Sequence, residues 1–379
     1  MEIVIQNRLL WSSIALFGTD GQQMDRLLRV LHLSGEAPLD ILIAVCDLEP
    51  LKGILSPHSR RFRTFSVGYA KWDWTAMQRS IPALEYVDLT GFTPPATHYE
   101  SISAAFTSAP ALRRITCSPK LVLHIMFPWS QIVELRIRRE ALNLFDKSEI
   151  IRTPKDRKRL FDIISAAPLR LLTCTDDTGS EFPAMIKPDI EVAQIPPSWL
   201  PRFTLPSLRK YSICWYRDLA IKDILDLFHR SGCTLTHLDI SDFNGGTNKG
   251  ALEDLLLALP QLKELDLHIS SDRSECVSHW ELIWLLFMNK DLLPDLRSMR
   301  LRSKGSEFDA LSIGSWLRTL VFDGATGVVN AGHRKLRLLA LDFREGAWQG
   351  PRRTLAEEEA RERLLKSAEA AHINLYVYE

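Results

Sequence analysis

One pattern of apolar and polar positions recurs along the chain. An apolar residue is followed by two variable positions, a second apolar residue, one variable position and a third apolar residue. The fullest copies are LPQLKELDL (Leu259–Leu267), LPSLRKYSI (Leu205–Ile213), LPDLRSMRL (Leu293–Leu301) and IPALEYVDL (Ile81–Leu89), with APALRRITC (Ala109–Cys117) and CTLTHLDI (Cys233–Ile240) beside them. First positions fall at residues 62, 84, 112, 132, 169, 208, 235, 262, 296, 317 and 336. Five of the spacings lie between 21 and 28 residues, the period of leucine-rich repeats. The spacings of 37 and 39 residues mark expected insertions.

The last two apolar positions of each copy alternate as in a strand. Between copies the apolar period becomes helical. Helices are expected over Asp218–His229, Lys249–Leu259, His98–Ala109, Pro154–Ala167 and Glu275–Met288. Strand and helix alternate with no hairpin signal, which predicts parallel strands joined by helical crossovers. Pro82, Pro110, Pro206, Pro260 and Pro294 stand just before strands, where proline stops the preceding helix. A single strand–helix unit cannot bury its own apolar face, but stacked units cover one another. The expected fold is therefore α/β: an irregular leucine-rich-repeat solenoid with parallel strands on one face and helices on the other.

Three segments follow from this reading. Residues 1–68 hold a strand at Trp11–Leu16, a helix near Gln22–Leu31, a strand at Pro38–Val45 and the copy beginning at Phe62. Residues 69–345 form the main repeat array. Residues 346–379 form a cap: Thr354 and Glu357 make a capping box, a helix follows over Leu355–Ala371, and INLYVYE alternates as an edge strand. Asp176–Phe203, with five prolines and little periodicity, reads as a long surface loop.

Composition narrows the function classes. Lys+Arg and Asp+Glu are each 47, giving zero formal charge, whereas a dedicated nucleic-acid binder carries a basic excess. The longest apolar stretch, His279–Met288, is too short for a membrane span of about 20 residues. Six cysteines in 379 residues, none in a CxxC pair, give neither a disulfide scaffold nor a zinc ribbon. Neither nucleic acid nor membrane is an expected partner, no cofactor is expected, and the expected location is cytoplasmic or nuclear.

Candidate chemistry sits at the third, fifth and seventh positions of each copy, which point away from the core. Two copies contribute His237, Asp239, Ser241, Glu264, Asp266 and His268, with neighbouring strands about 4.8 Å apart. Metal or acid–base chemistry would use such a patch. A solvated polar face with ion pairs to Arg300 and Arg302 explains it better, since no His-x-x-x-His or HExxH spacing supports a metal, and the patch reads as part of a ligand-facing surface. Arg114, Glu134, Arg136, Arg138 and Lys210 occupy matching positions earlier in the chain. The face is thus expected to run basic, then acidic, then basic, which suits a protein surface better than a polyanion. Lys155–Arg159 (KDRKR) reads as a solvated helix face, and Trp72 and Trp74 as packing residues. Cys117 and Cys174 take the last apolar position of their copies, so packing accounts for them.

Three phrases resemble those of the fungal, mushroom-type F-box proteins with irregular leucine-rich repeats: LLWSSIAL (Leu9–Leu16), SGEAPLDILI (Ser34–Ile43) and PWSQIVELRI (Pro128–Ile137). The resemblance runs from about residue 9 to the end. It implies a substrate-recognition module of an SCF ubiquitin ligase, non-enzymatic, binding a target protein on its strand-lined face. The F-box that precedes LLWSSIAL in that family has no counterpart in the eight residues before Leu9. A Skp1-type adaptor is therefore implied only if an F-box is encoded upstream. The family's asparagine or cysteine ladder is also replaced, at Phe92, Tyr216, Phe243, Ser270 and Lys304, so the coil should be irregular. A leucine-rich-repeat scaffold with no ubiquitin link, and a metal-dependent enzyme using the 237–268 patch, stay open.

Overall fold

The structure, a computed structural model, describes residues 8–18, 20–44, 49–68, 81–138, 153–175, 183–214, 221–243, 249–270, 292–304, 338–342 and 374–378. The chain forms two compact units, Met1–Ile190 with Gln194–Thr204, and Glu191–Ala193 with Leu205–Glu379.

In the first unit the strands β1 (Ser13–Leu16), β2 (Leu39–Ile43), β3 (Phe62–Val67), β4 (Tyr86–Leu89), β5 (Arg114–Cys117), β6 (Glu134–Ile137) and β7 (Leu171–Cys174) pair in parallel, each with the next. A separate two-stranded ribbon joins β8 (Met185–Ile186) to β10 (Phe203–Thr204). In the second unit β9 (Val192–Gln194), β11 (Lys210–Cys214), β12 (His237–Phe243), β13 (Glu264–Ser270), β14 (Ser298–Lys304), β15 (Leu338–Asp342) and β16 (Asn374–Tyr378) pair the same way. Strand order thus follows chain order within each ladder. With a connecting helix between many of the strands, this is the architecture of an irregular leucine-rich-repeat solenoid.

Among the described residues the helices are α1 (Gly21–Ser34), α2 (Glu49–Leu55), α3 (Tyr99–Thr107), α4 (Pro119–His124) and α5 (Pro154–Ala166) in the first unit, and α6 (Ile221–Ser231) and α7 (Lys249–Leu257) in the second. Local sequence fixes their ends. Asp20 accepts a hydrogen bond from the Gln23 amide at 2.8 Å and so caps α1. Gly232, at φ +58°, ends α6; its amide bonds back to the Phe228 carbonyl at 3.0 Å.

The proline before five of the strands does more than stop a helix. Ile81, Ala109, Leu205, Leu259 and Leu293 each accept, at 3.1–3.2 Å, the amide of the residue three places on, closing a turn with proline second. The next two residues then lock the phrase to its predecessor. The Glu85 carbonyl accepts the amides of Arg113 and Arg114, the Arg113 carbonyl those of Val133 and Glu134, and the Val133 carbonyl those of Arg170 and Leu171, all at 2.8–3.1 Å. In the second unit the carbonyls of Glu191, Arg209, Thr236 and Lys263 each accept two amides in the same way.

Side chains reinforce the joints of the first unit. Gln131 Nε2 donates to the carbonyls of Ala109 and Leu112 at 2.8 and 3.0 Å. Lys187 Nζ donates to Ser165 and Ala167 at the end of α5, and partial burial pushes its pKa down. Arg61 bonds the Ala37 carbonyl and Ser34 Oγ behind α1.

The core lies between the strands and helices. Val87, Leu89, Ile115, Leu135, Ile137, Leu238, Ile240, Leu265 and Leu267 are all buried, with the stripes Ile102, Ala105, Phe106 of α3 and Ile224, Leu227, Phe228 of α6. Tyr211 on β11 meets Phe228 on α6 edge to face at 5.6 Å. Cys117 and Cys174 are buried in this core, and burial pushes the Cys117 thiol upward, which suits packing.

The structure corrects the reading of Asp176–Phe203 as a surface loop. Its described part holds β8, β9 and the 3-10 turn Pro197–Arg202, and buries Ile190, Ala193, Ile195, Trp199 and Leu200. Ile190, Ala193 and Ile195 are a further copy of the phrase, with alanine in the middle place. The expected insertion of 39 residues is therefore two periods. The expected helix Glu275–Met288, the copy at Leu317, the helix Leu355–Ala371, and Trp72 and Trp74 lie outside the described residues.

Candidate functional site

Alternation along each strand sends every second side chain away from the core. In the second unit, register aligns these side chains in rows across the ladder. Lys210, His237, Glu264 and Ser298 form one row, and Ser212, Asp239, Asp266 and Arg300 the next. Cys214 stands beside Ser241, and His268 beside Arg302.

Asp266 is the centre of this surface. Arg302 donates to its Oδ2 at 2.7 Å, and an Arg300 amine lies 3.6 Å from the same oxygen. Its Oδ1 is buried without a hydrogen-bond partner. Burial raises the Asp266 pKa; Arg302 opposes that, and the neighbouring Asp239 carboxylate adds to it. Two carboxylates on adjacent strands thus share one spot, with Lys210 on one side and two arginines on the other. At the start of the same strands His237 Nε2 lies 3.0 Å from Glu264, while its Nδ1 is 2.8 Å from Thr236 Oγ1. Farther along, Cys214 Sγ and Ser241 Oγ are 3.1 Å apart.

The first unit carries a different outward surface. Arg63 pairs with Asp40 through two of its nitrogens, and Thr64 bonds the same carboxylate at 3.1 Å. The Arg63 bonds hold the Asp40 carboxyl below its usual range. The Arg114 guanidinium lies 5.3 Å from the centre of the Tyr86 ring. The Tyr86 hydroxyl reaches Thr116 at 3.2 Å and Asp88 at 3.3 Å, and burial raises its pKa. Arg136 lies 3.9 Å from Glu134, and Arg138 is exposed.

The expected positions all point outward as read. The structure brings His237, Asp239, Glu264, Asp266, Arg300 and Arg302 onto one surface with Lys210 and His268, and Arg114, Glu134, Arg136 and Arg138 onto the other. The ion pairs expected from Arg300 and Arg302 form, on Asp266. The first unit's basic run is broken by acids, since Asp40 and Glu134 sit against Arg63 and Arg136. Sequence reasoning missed the Asp40–Arg63 pair and Tyr86; the shared strand positions of Asp40, Thr64 and Tyr86 were the available signal. Among the described residues no three His, Cys, Asp or Glu side chains gather as a metal site. No helix among them is long and apolar enough to cross a membrane.

No family model matches the chain, and no curated protein matches it. Among solved structures, the leucine-rich repeat-containing protein LegL7 from Legionella pneumophila is similar, at 11% identity and a TM-score of 0.44, over 93% of this chain and 97% of that one. The fold assignment rests on the ladders of this chain itself.

Proposed function

We propose that the chain is a non-enzymatic protein-interaction module that holds a target protein on its outward strand surface. Side chains there project from hydrogen-bonded strands, so little ordering entropy opposes binding. The observation that carries the reading is the charge arrangement of the second unit. Asp239 and Asp266 stand together with Lys210 on one side and Arg300 and Arg302 on the other. Mixed charge of that kind selects a complementary protein surface and rejects a uniform polyanion.

The finer reading is the substrate-recognition part of an SCF-type ubiquitin ligase, in the cytoplasm or nucleus, with a Skp1-type adaptor bound through an F-box encoded upstream. It is supported by the three phrases that resemble mushroom-type F-box proteins. The rival reading is a leucine-rich-repeat scaffold with no ubiquitin link, which the same mixed-charge strand surface supports. Metal chemistry is less well served, because Asp266 is engaged by two arginines and His237 by Glu264.

The test compares proteins captured by the wild-type chain with those captured by an Asp239→Arg/Arg300→Glu variant and by a helix-face control, Lys222→Glu. A protein retained by wild type and control but lost from the face variant supports the reading. Identical capture by all three refutes it. Retention of a Skp1-type adaptor by the full-length gene product separates the ligase reading from the scaffold, and stoichiometric zinc or manganese in the purified protein would overturn the non-enzymatic one.

A further inference from the structure

On the helical side of the first unit, α4 and α5 turn a group of cations outward. Leu121, Val122 and Leu123 of α4 are buried, which leaves Lys120 and His124, one turn apart, exposed. On α5 the buried stripe is Leu160, Ile163 and Ile164, while Lys155, Lys158 and Arg159 are exposed. Met126 links the two helices. It follows α4, its amide donates to Ser103 Oγ on α3 at 2.9 Å, and an Arg159 amine lies 3.6 Å from its sulfur. Its side chain is 54% exposed. The His124 ring stacks on Tyr99 of α3, with centres 5.0 Å apart. Partial burial lowers the His124 pKa, and Arg159 and Lys120 lower it further against Asp156, so both cations lie near the ring.

The fold itself gains nothing from this charge. Lys155 stands in the first turn of α5, where the helix dipole disfavours a cation. Lys155 and Arg159, four places apart on one helix face, repel each other. Lys120, Lys155, Lys158 and Arg159 make no ion pair among the described residues. Asp156, the acid of the first turn, is taken by the Thr153 cap, whose hydroxyl donates to its Oδ2 at 2.7 Å. Sequences break such local rules mainly at functional sites. Asp162, exposed one turn beyond Lys158, ends the patch along α5, which suits a short acidic stretch and not a continuous polyanion. Met126 adds a polarisable apolar contact among the cations.

We propose that this helix face is a second docking site, for a short acidic segment of a partner protein that carries one apolar residue among its carboxylates. In an extended segment, acids two places to either side of an apolar residue share its face. The apolar side chain then rests on Met126 beside the His124 ring, and the carboxylates meet Arg159 and the neighbouring lysines. The site is separate from the outward strand surface and does not depend on it.

The probe is a short fluorescein-labelled peptide with a central phenylalanine, serines beside it, and glutamates two and three places to either side. Saturable anisotropy with the full chain is expected, weakening as salt is added. The arriving carboxylates should raise the His124 pKa, read from the titration of its ring protons. Arg159→Glu should weaken binding about tenfold, while Lys222→Glu on α6 should bind as wild type. Lys155→Glu should also weaken binding yet raise the melting temperature, because an acid suits the first turn; a folding defect would move both the other way. A peptide with lysines for the glutamates should not bind. The proposal is overturned by no saturable binding up to about 1 mM, by equal binding to the Arg159→Glu chain, or by an unchanged His124 titration. Tighter binding of a single-stranded oligonucleotide, or of phosphatidylserine vesicles, than of the peptide would assign the patch to a polyanion or a membrane and overturn it too.

Discussion

Leu265 and Asp266 are adjacent on β13 and face opposite ways, so substituting each in turn tests the ladder directly. Leu265 is 1% exposed and lies between Leu238 and Met299, its register partners, which are equally buried. Truncation to alanine removes three carbons, roughly 2.4 kcal/mol of transfer energy at about 0.8 kcal/mol per buried CH₂. A residual cavity adds to this, giving a loss of about 2–5 kcal/mol. Asp266→Asn keeps the side-chain shape, removes a carboxylate whose charge the fold disfavours, and leaves Arg302 an acceptor. Its net cost should be under about 1 kcal/mol. The pH dependence separates the two further. Because the folded Asp266 pKa is raised, the native state binds the extra proton, so wild-type stability falls as pH rises above the ordinary carboxylate range. The asparagine variant lacks that slope, so its stability relative to wild type should improve from pH about 4 to pH about 7. Urea unfolding at the two pH values, followed by circular dichroism and by hydrogen exchange of the second unit, reads both effects. Equal losses from the two substitutions, or a Leu265→Ala loss below about 1 kcal/mol, would refute the facing of the strand and the buried ladder with it.

Three more outcomes follow from the first unit and from α6. In Asp40, whose folded pKa is lowered by Arg63, stability is present above the ordinary carboxylate pKa and lost as pH falls through the depressed value; Arg63→Met should therefore flatten the acid limb of a stability–pH curve, and an unchanged limb would count against the pair. Gln131→Ala deletes two bonds to the Ala109 and Leu112 carbonyls and should cost about 1–2 kcal/mol in denaturant unfolding, with Gln131→Glu no better because a carboxylate cannot donate. Gly232→Ala meets no atom within 4 Å, so its cost is conformational alone, about 1 kcal/mol for a left-handed residue, and should be seen as a lowered melting temperature without change in the outward surface.

Much of this architecture is legible in the leucine phrases because burial imposes a strict period. A strand with one face on a core must alternate, and Leu262, Leu265 and Leu267 or Leu112, Ile115 and Cys117 declare that alternation openly. The copy at Ile190 hid because its middle position is Ala193 and prolines crowd around it. Those prolines shape a turn and a 3-10 segment that buries Trp199, so they signal packing there as much as looping. The outward surface was legible in position and in the Arg300 and Arg302 pairs, but not in the pairing of the first unit. Arg114 reads as a cation in sequence, yet its guanidinium rests over the Tyr86 ring on the preceding strand. Thr116 occupies an outward place and is still 1% exposed, its hydroxyl met by that of Tyr86 on the preceding strand. Contacts between strands depend on which large side chain leans across, and one strand's sequence does not contain its neighbour's.

The paired hydrogen bonds at seven of the joints, one carbonyl holding two amides of the following phrase, free the intervening chain from any set length. The Arg113 carbonyl and the Val133 carbonyl each receive an equivalent pair of amides, although the first positions of the phrases they join, at Leu112, Ile132 and Leu169, lie 20 and 37 residues apart. Segments between rungs can therefore grow, shrink or be exchanged while the rungs keep their pitch. A molecule built this way can be lengthened by whole rungs or regrafted at its connectors, and its outward rows stay in line.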